Sequence, residues 1–141
     1  MEKDIIILNN LYKTLLMGEI GLSEVKDRII DQTLQKTVID AIKKYKSYNL
    51  IITNMLQKYD QEPKDINTFI KMSNELFTDI KLINSDDEKI AKMLIEGTNK
   101  GIINIQEIKN NEIIIDEKIK NIVLELLNLF EYQINNWKQY L

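Results

Sequence analysis

The sequence has no cysteine and no histidine among its 141 residues. Without cysteine the chain cannot form a disulfide or a thiolate nucleophile. Without histidine it has no imidazole base, no Ser-His-Asp triad and no ordinary zinc site. These two absences exclude many enzyme classes as built from this chain alone. No segment carries a recognisable catalytic motif, so the sequence predicts a protein that is not an enzyme.

Glycine and proline are also scarce, with four residues of the first and one of the second. Long stretches between them carry apolar residues at alternating spacings of three and four, which is typical of amphipathic helices. The length suits one domain with a single sizeable core. We therefore expect an all-α protein in which residues 1–141 form one domain.

The charge pattern argues against a nucleic-acid partner. The chain has 19 basic and 22 acidic residues and a net charge of -3, whereas nucleic-acid binding needs clustered positive charge. The apolar run at residues 5–8 is too short for a signal peptide, and no stretch suggests an 18-residue membrane span. The sequence thus predicts a cytoplasmic protein that binds neither nucleic acid nor membrane.

The spacing of apolar residues predicts four long helices and one shorter helix. The long helices are expected at residues 4–29, 33–59, 86–109 and 116–140, and the shorter amphipathic helix at residues 66–83. Ser85 and Glu88 have the form of a capping box at the start of the third long helix. Pro63 marks the main break in the chain, because proline ends a helix.

The connections between these helices predict the topology. Short connections follow the first and third long helices, so each of these should form an antiparallel hairpin with its successor. About 26 residues separate the second long helix from the third, enough to return along the length of a bundle. Two hairpins joined by one long crossover is the connectivity of a ferritin-like bundle. An up-down bundle with an extra helix is the alternative.

One acidic residue falls on the predicted inner face of the first helix. The series on that face is Ile5, Leu8, Tyr12, Leu15, Glu19, Leu22, Lys26 and Ile29. A carboxylate in the core needs a polar partner. Tyr45 and Tyr48 on the second helix and Thr98 on the third fall at a matching level. We expect these residues and Glu19 to form a polar layer in the core.

Two short segments carry a resemblance to a known superfamily. They are Leu-Leu-Met-Gly-Glu at residues 15–19 and the repeated glycine Gly97 within residues 94–98. With the hairpin plan, they resemble the ferritin-like superfamily, and most closely the small bacterial ferritin-like proteins and coat-F-type spore coat proteins. The resemblance covers nearly the whole chain as a pattern, although only the Gly-Glu element is a motif match. It implies a ferritin-like four-helix bundle with a short crossover helix, and it allows a spore-associated location.

The resemblance also has a consequence for metal binding. Di-iron members of the superfamily use one glutamate from each of two helices and a Glu-x-x-His pair from each of the other two. The first glutamate matches Glu19, but Tyr45 and Tyr48 replace both ligands of the second helix, and Thr98 stands on the third. The fourth helix keeps one carboxylate, Glu131, in one of two registers. The resemblance therefore implies that the protein has no working di-iron centre and no cofactor.

Three interpretations of Glu19 stay open from the residues alone. The preferred one is a carboxyl group that accepts hydrogen bonds from Tyr45 or Tyr48 and fixes the register of the helices. The second is an oxygen-only site for a hard divalent cation, formed with Glu131 and Glu96. The third is a small polar cavity that binds a ligand.

Two glycines one turn apart, Gly97 and Gly101, lie inside the third long helix. A glycine in a helix interior is less stable than alanine by about 1 kcal/mol, so something local should compensate. We expect these glycines to permit the close approach of another helix. A cavity that faces Glu19 is the alternative.

The C-terminal end is aromatic and apolar, with Trp137, Tyr140 and Leu141, and it either completes the core or forms a dimer contact. Leu16 and Ile51 widen the apolar faces of their helices and favour a homodimer. The sequence thus favours a non-enzymatic structural or protein-interaction protein. One alternative is a divergent carboxylate metal-binding protein that binds or oxidises a small substrate. Another is a module that binds a helix in a groove beneath a removable crossover segment.

Overall fold

A computed structural model describes residues 2–64, 67, 71 and 86–141 of the chain, and within these residues it contains helices and no strand. The four α-helices are α1 (Glu2–Val25), α2 (Gln32–Gln57), α3 (Asp87–Asn111) and α4 (Glu117–Trp137). Short 3-10 turns follow α1 at Lys26–Arg28 and α4 at Lys138–Tyr140. The predicted all-α, four-helix fold is confirmed, with bounds close to the predicted ones.

Aspartate side chains begin three of the helices. Asp31, Asp86 and Asp116 precede α2, α3 and α4, and each accepts a hydrogen bond from a backbone N–H of the first turn. This contact satisfies donors that have no partner within the helix. The predicted capping box at the start of α3 is wrong in position, because Asp86 is the capping residue. Ser85 lies outside the described residues.

Neighbouring helices of the bundle run antiparallel. α1 packs against α2 and α3, and α3 packs against α4. Tyr59 near the end of α2 donates a hydrogen bond to Asp4 near the start of α1. α2 and α4 are also antiparallel, because Trp137 at the end of α4 donates a hydrogen bond to Thr37 near the start of α2. α2 and α3 therefore lie on a diagonal of the bundle and point the same way.

The chain between α2 and α3 must return along the whole bundle. α2 is about 39 Å long at 1.5 Å per residue. Asp87 at the start of α3 accepts hydrogen bonds from the backbone N–H groups of Ile30 and Asp31, which precede α2. Two antiparallel hairpins are thus joined by a long crossover, as the sequence predicts. The crossover helix predicted at residues 66–83 lies outside the described residues, apart from positions 67 and 71.

The core stripe of α1 differs from the predicted one. The buried apolar residues of this helix are Ile7, Leu8, Leu11, Leu15, Leu22 and Val25. Tyr12, Glu19 and Lys26 lie half-buried at the margin, so the placement of Glu19 in the core is wrong. The physical reason is that α1 has apolar residues around most of its circumference. Their spacing alone does not fix which side packs inward.

The C-terminal aromatic residues divide between core and surface. Trp137 is 1% exposed, and its indole N–H donates to the Thr37 hydroxyl. Tyr140 is half-buried and Leu141 is exposed. Trp137 therefore completes the core, whereas the last residue of the chain does not.

One helix also meets the length and composition of a membrane span. Among the residues that the structure describes, the stretch 2–28 alone does so, with a mean hydropathy of 1.2 over 18 residues. The expectation that no stretch is this apolar is wrong for α1. Core helices of soluble proteins and signal sequences have the same composition, and 33% of that window is buried within the bundle.

Candidate binding groove between α1 and α3

Tyr45 occupies the centre of the bundle at the level that the sequence predicts. Its ring is buried and meets Phe130 of α4 edge to face, with ring centroids 5.7 Å apart. Its hydroxyl donates a hydrogen bond of 2.6 Å to Gln133 Oε1. The central polar contact of the bundle is therefore a neutral Tyr–Gln pair between α2 and α4.

Glu19 lies outside this pair, at the edge of α1. Its Oε1 is 3.8 Å from Lys46 Nζ, a loose contact with a largely exposed lysine. Partial burial raises the pKa of the Glu19 carboxyl, and Lys46 opposes that shift. Burial and the charge of Glu19 together raise the pKa of Tyr12. Glu19 is thus a half-buried surface carboxylate.

The other predicted polar residues lie on separate surfaces. The Tyr48 hydroxyl donates to Glu125 on the outer side of α2 and α4. Glu96 and Glu131 are exposed on different helices, and Thr98 is half-buried on α3. Over residues 2–64, 67, 71 and 86–141, no three acidic side chains come close enough to hold a metal ion. The donor set of the described interior, a tyrosine and three side-chain amides, offers no carboxylate and does not fit a di-iron pair.

Burial of Tyr45 predicts an alkaline limit to stability. Desolvation raises the pKa of its phenol well above the ordinary value near 10. The folded state therefore holds this proton more tightly than the unfolded state, and the resulting stability is present below about pH 10 and lost above it. Urea unfolding between pH 8 and 11 should show this loss, with a smaller slope in Tyr45→Phe. Tyr132→Phe, at an exposed site on α4, should keep the wild-type slope.

Sequence reasoning missed a buried amide on α2. Asn49 is 7% exposed, and neither its Nδ2 nor its Oδ1 has a hydrogen-bond partner within the described part of the chain. Asn49 lies four residues after Tyr45, and Tyr48 lies three residues after it. By helical spacing alone, either residue can share the inward face with Tyr45. The sequence predicts Tyr48 as the inward residue, but Tyr48 is half-buried on the outer side. The third buried amide, Asn9, bonds Ile5 O and Lys64 N.

The described helices enclose a cavity of about 270 Å³ between α1 and α3. All four glycines of the chain line it: Gly18 and Gly21 from α1, and Gly97 and Gly101 from α3. Tyr45 and Phe130 form its inner wall, and Met17 and Met93 also line it. Glu96 and Lys100 lie at its rim on the exposed side of α3. The sequence anticipates a cavity beside Gly97 and Gly101 only as an alternative to close packing, and it expects that cavity to face Glu19, which does not line this one.

A second, more open depression continues along the same two helices. It has a volume of about 460 Å³ and shares Thr14, Met17 and Asn104 with the first cavity. Its far end lies between Ile6 of α1 and Glu112. The two depressions form one groove along the α1–α3 face, which we call the α1–α3 groove.

Glycine stands at these positions of the groove for different physical reasons. A Cβ on Gly18 would lie 2.9 Å from Tyr45 Cε2, and one on Gly101 would lie 3.2 Å from Phe130 Cε2. These two glycines therefore make room for the buried rings. A Cβ on Gly97 would meet no heavy atom of the described residues within 4 Å. Gly97 leaves open space, so the prediction that it permits close packing of another helix is wrong within the described bundle.

Alanine at Gly18 and at Gly97 should change stability in opposite directions. Gly97→Ala should stabilise the protein by about 1 kcal/mol, because alanine favours the helix and meets no neighbour. Gly18→Ala should destabilise it, because overpacking against a buried ring costs about 1 to 3 kcal/mol and exceeds the helix gain. Thermal unfolding followed by circular dichroism compares the two. Equal shifts in one direction would contradict this account of the groove.

The described residues define a four-helix bundle whose main concave feature is a glycine-lined groove. The chain belongs to the protein family described as a domain of unknown function, DUF2383, whose match covers residues 4–111. The match includes α1, α2 and α3, and with them both walls of the groove. No curated protein and no solved structure gives a match.

Proposed function

We propose that this protein is a non-enzymatic, ferritin-like bundle without a working di-iron centre, and that it acts by binding other molecules. The observation that carries the proposal is the Tyr45–Gln133 pair at the centre of the bundle. Two neutral side chains that bond each other supply no negative charge to hold an iron pair. The two-hairpin topology supports the ferritin-like assignment, because that connectivity is typical of ferritin-like bundles.

Two surfaces support binding as the mode of action. The α1–α3 groove is one. The outer sides of α2 and α4 are the other, since they expose the large apolar residues Ile39, Leu50, Ile51, Leu124 and Tyr132. Exposed apolar residues of this kind favour self-association. We propose that the protein forms a homodimer through α2 and α4 and that it has a further binding partner, with a cytoplasmic or spore-associated location.

Metal loading tests the first half of the proposal. The purified full chain is incubated with iron, manganese and zinc, the excess is removed, and bound metal is measured by elemental mass spectrometry. We expect less than one metal ion per chain, in the wild type and in Glu19→Gln alike. Stoichiometric metal that is lost in Glu19→Gln would overturn the proposal in favour of a carboxylate metal-binding protein.

Sedimentation tests the proposed self-association. We expect a dimer at micromolar concentration, weakened by Ile51→Lys with Tyr132→Lys. Asn99→Lys, at an exposed site on α3, is the matched control and should sediment like the wild type. A monomer at every concentration would remove the homodimer from the proposal and leave the groove as its binding surface.

A further inference from the structure

Gly97 lies at the open mouth of the cavity between α1 and α3. Gly18 and Gly101 are explained by the rings beside them, but Gly97 is exposed, and a Cβ there would meet no heavy atom of the described residues within 4 Å. Alanine there would strengthen α3 by about 1 kcal/mol. The packing of the described helices therefore does not require glycine at this position, and its missing side chain leaves the mouth of the cavity open.

The wall chemistry indicates what would fit this space. Tyr45 and Phe130 present aromatic surface, and Met17 and Met93 add flexible thioethers that contact aromatic rings favourably. The Tyr45 hydroxyl is already bonded to Gln133, so this tyrosine offers its ring to the cavity. The inner wall therefore favours an apolar, ring-shaped occupant over a polar one.

The charges at the rim do not favour an ion of either sign. Glu96 and Lys100 lie one helical turn apart on α3 and both border the cavity. Their charges are opposite, so the net charge of the rim is zero and it gives neither an anion nor a cation a net attraction. An uncharged molecule fits both the inner wall and the rim.

The volume of the cavity limits the size of the molecule that it can hold. Apolar cavities of about 150 Å³ bind a single benzene ring. The cavity between α1 and α3 measures about 270 Å³. We infer that this cavity binds a small, uncharged aromatic molecule of one or two fused rings, seated against Tyr45 and Phe130 beside Gly97. The inference rests on the proposed function, because it takes the protein to act by binding.

Indole is a suitable probe, because it is uncharged, flat and made of two fused rings. It is titrated into the full isotope-labelled chain, and backbone amide signals are followed by nuclear magnetic resonance. The four glycines of the sequence all line the cavity, so their amide signals report on this site directly. We expect saturable shifts of these signals with indole and none with the charged analogue indoleacetate. Contacts between indole protons and the rings of Tyr45 and Phe130 should appear at saturation.

Gly97→Leu places a side chain in the open space and should weaken indole binding by about tenfold or more. Asn99→Leu adds the same side chain to α3 at an exposed site outside the cavity, and it should bind like the wild type. Glycine signals that do not saturate, missing ring contacts in the wild type, or equal binding by Gly97→Leu would each overturn the inference. The ring contacts test it in the wild type even if Gly97→Leu does not fold. Metal loading bears on the proposed function alone, so the two failures are distinguishable.

Discussion

Truncation of Trp137 to alanine should destabilise the protein by about 3 to 5 kcal/mol, the usual effect of removing a large buried aromatic side chain. The side chain is 1% exposed at the end of α4 and bonds Thr37 of α2. Its loss would remove both apolar contact and one of the hydrogen bonds that link these two helices. Because a domain of this size is stable by only about 5 to 15 kcal/mol, the effect is a large fraction of the total.

Urea unfolding followed by circular dichroism measures this change without relying on the fluorescence of the only tryptophan. Trp137→Phe keeps most of the apolar volume and should lose less stability than Trp137→Ala. Ile103→Ala removes a large apolar side chain from an exposed site on α3, and its effect should stay within about 0.5 kcal/mol. If Trp137→Ala behaved like Ile103→Ala, Trp137 would not belong to the core.

Leucine at position 49 should have the opposite effect and stabilise the protein by about 1 to 3 kcal/mol. Burying an amide without a hydrogen bond costs about that much. Both polar atoms of Asn49 are in this state within the described residues. Leucine branches at the same carbon as asparagine and replaces the amide with apolar groups. It also favours the helix more than asparagine does.

Asn54→Leu is the matched control, since it makes the same change at an exposed position of α2. Its effect should stay within about 0.5 kcal/mol in the same urea experiment. A loss of stability in Asn49→Leu would contradict the prediction and would mean that the amide has a partner in solution, such as a buried water molecule.

The sequence was sufficient for the helices and their order because each is marked locally. Scarce glycine and proline and spacings of three and four located α1 to α4, and the long interval before α3 predicted the crossover. Phe130 and Gln133 of α4 are three residues apart, a spacing that places both on one face of a helix, and both are buried. These features depend on neighbours in sequence, so no knowledge of packing was required.

The candidate site depended on packing and was predicted less well. α1 is apolar on several sides, so its sequence is consistent with two inward faces, one that includes Glu19 and one that includes Ile7 and Leu11. Tertiary contacts determine which of the two faces is buried. The pairing of Gly18 and Gly21 with Gly97 and Gly101 needs the register of α1 against α3, which no local pattern contains. The different reasons for Gly18 and Gly97 depend on where the Tyr45 ring lies.

The carboxylate of Asp87 also makes the assembly of the two hairpins observable. It holds the amide protons of Ile30 and Asp31, which are 57 and 56 residues away in sequence. Neither proton takes part in a helix, so its protection from exchange with solvent depends on α3 being docked against the α1–α2 turn. In pulse-labelling during refolding, helical amides would record when each hairpin forms. These two protons would record separately when the hairpins meet.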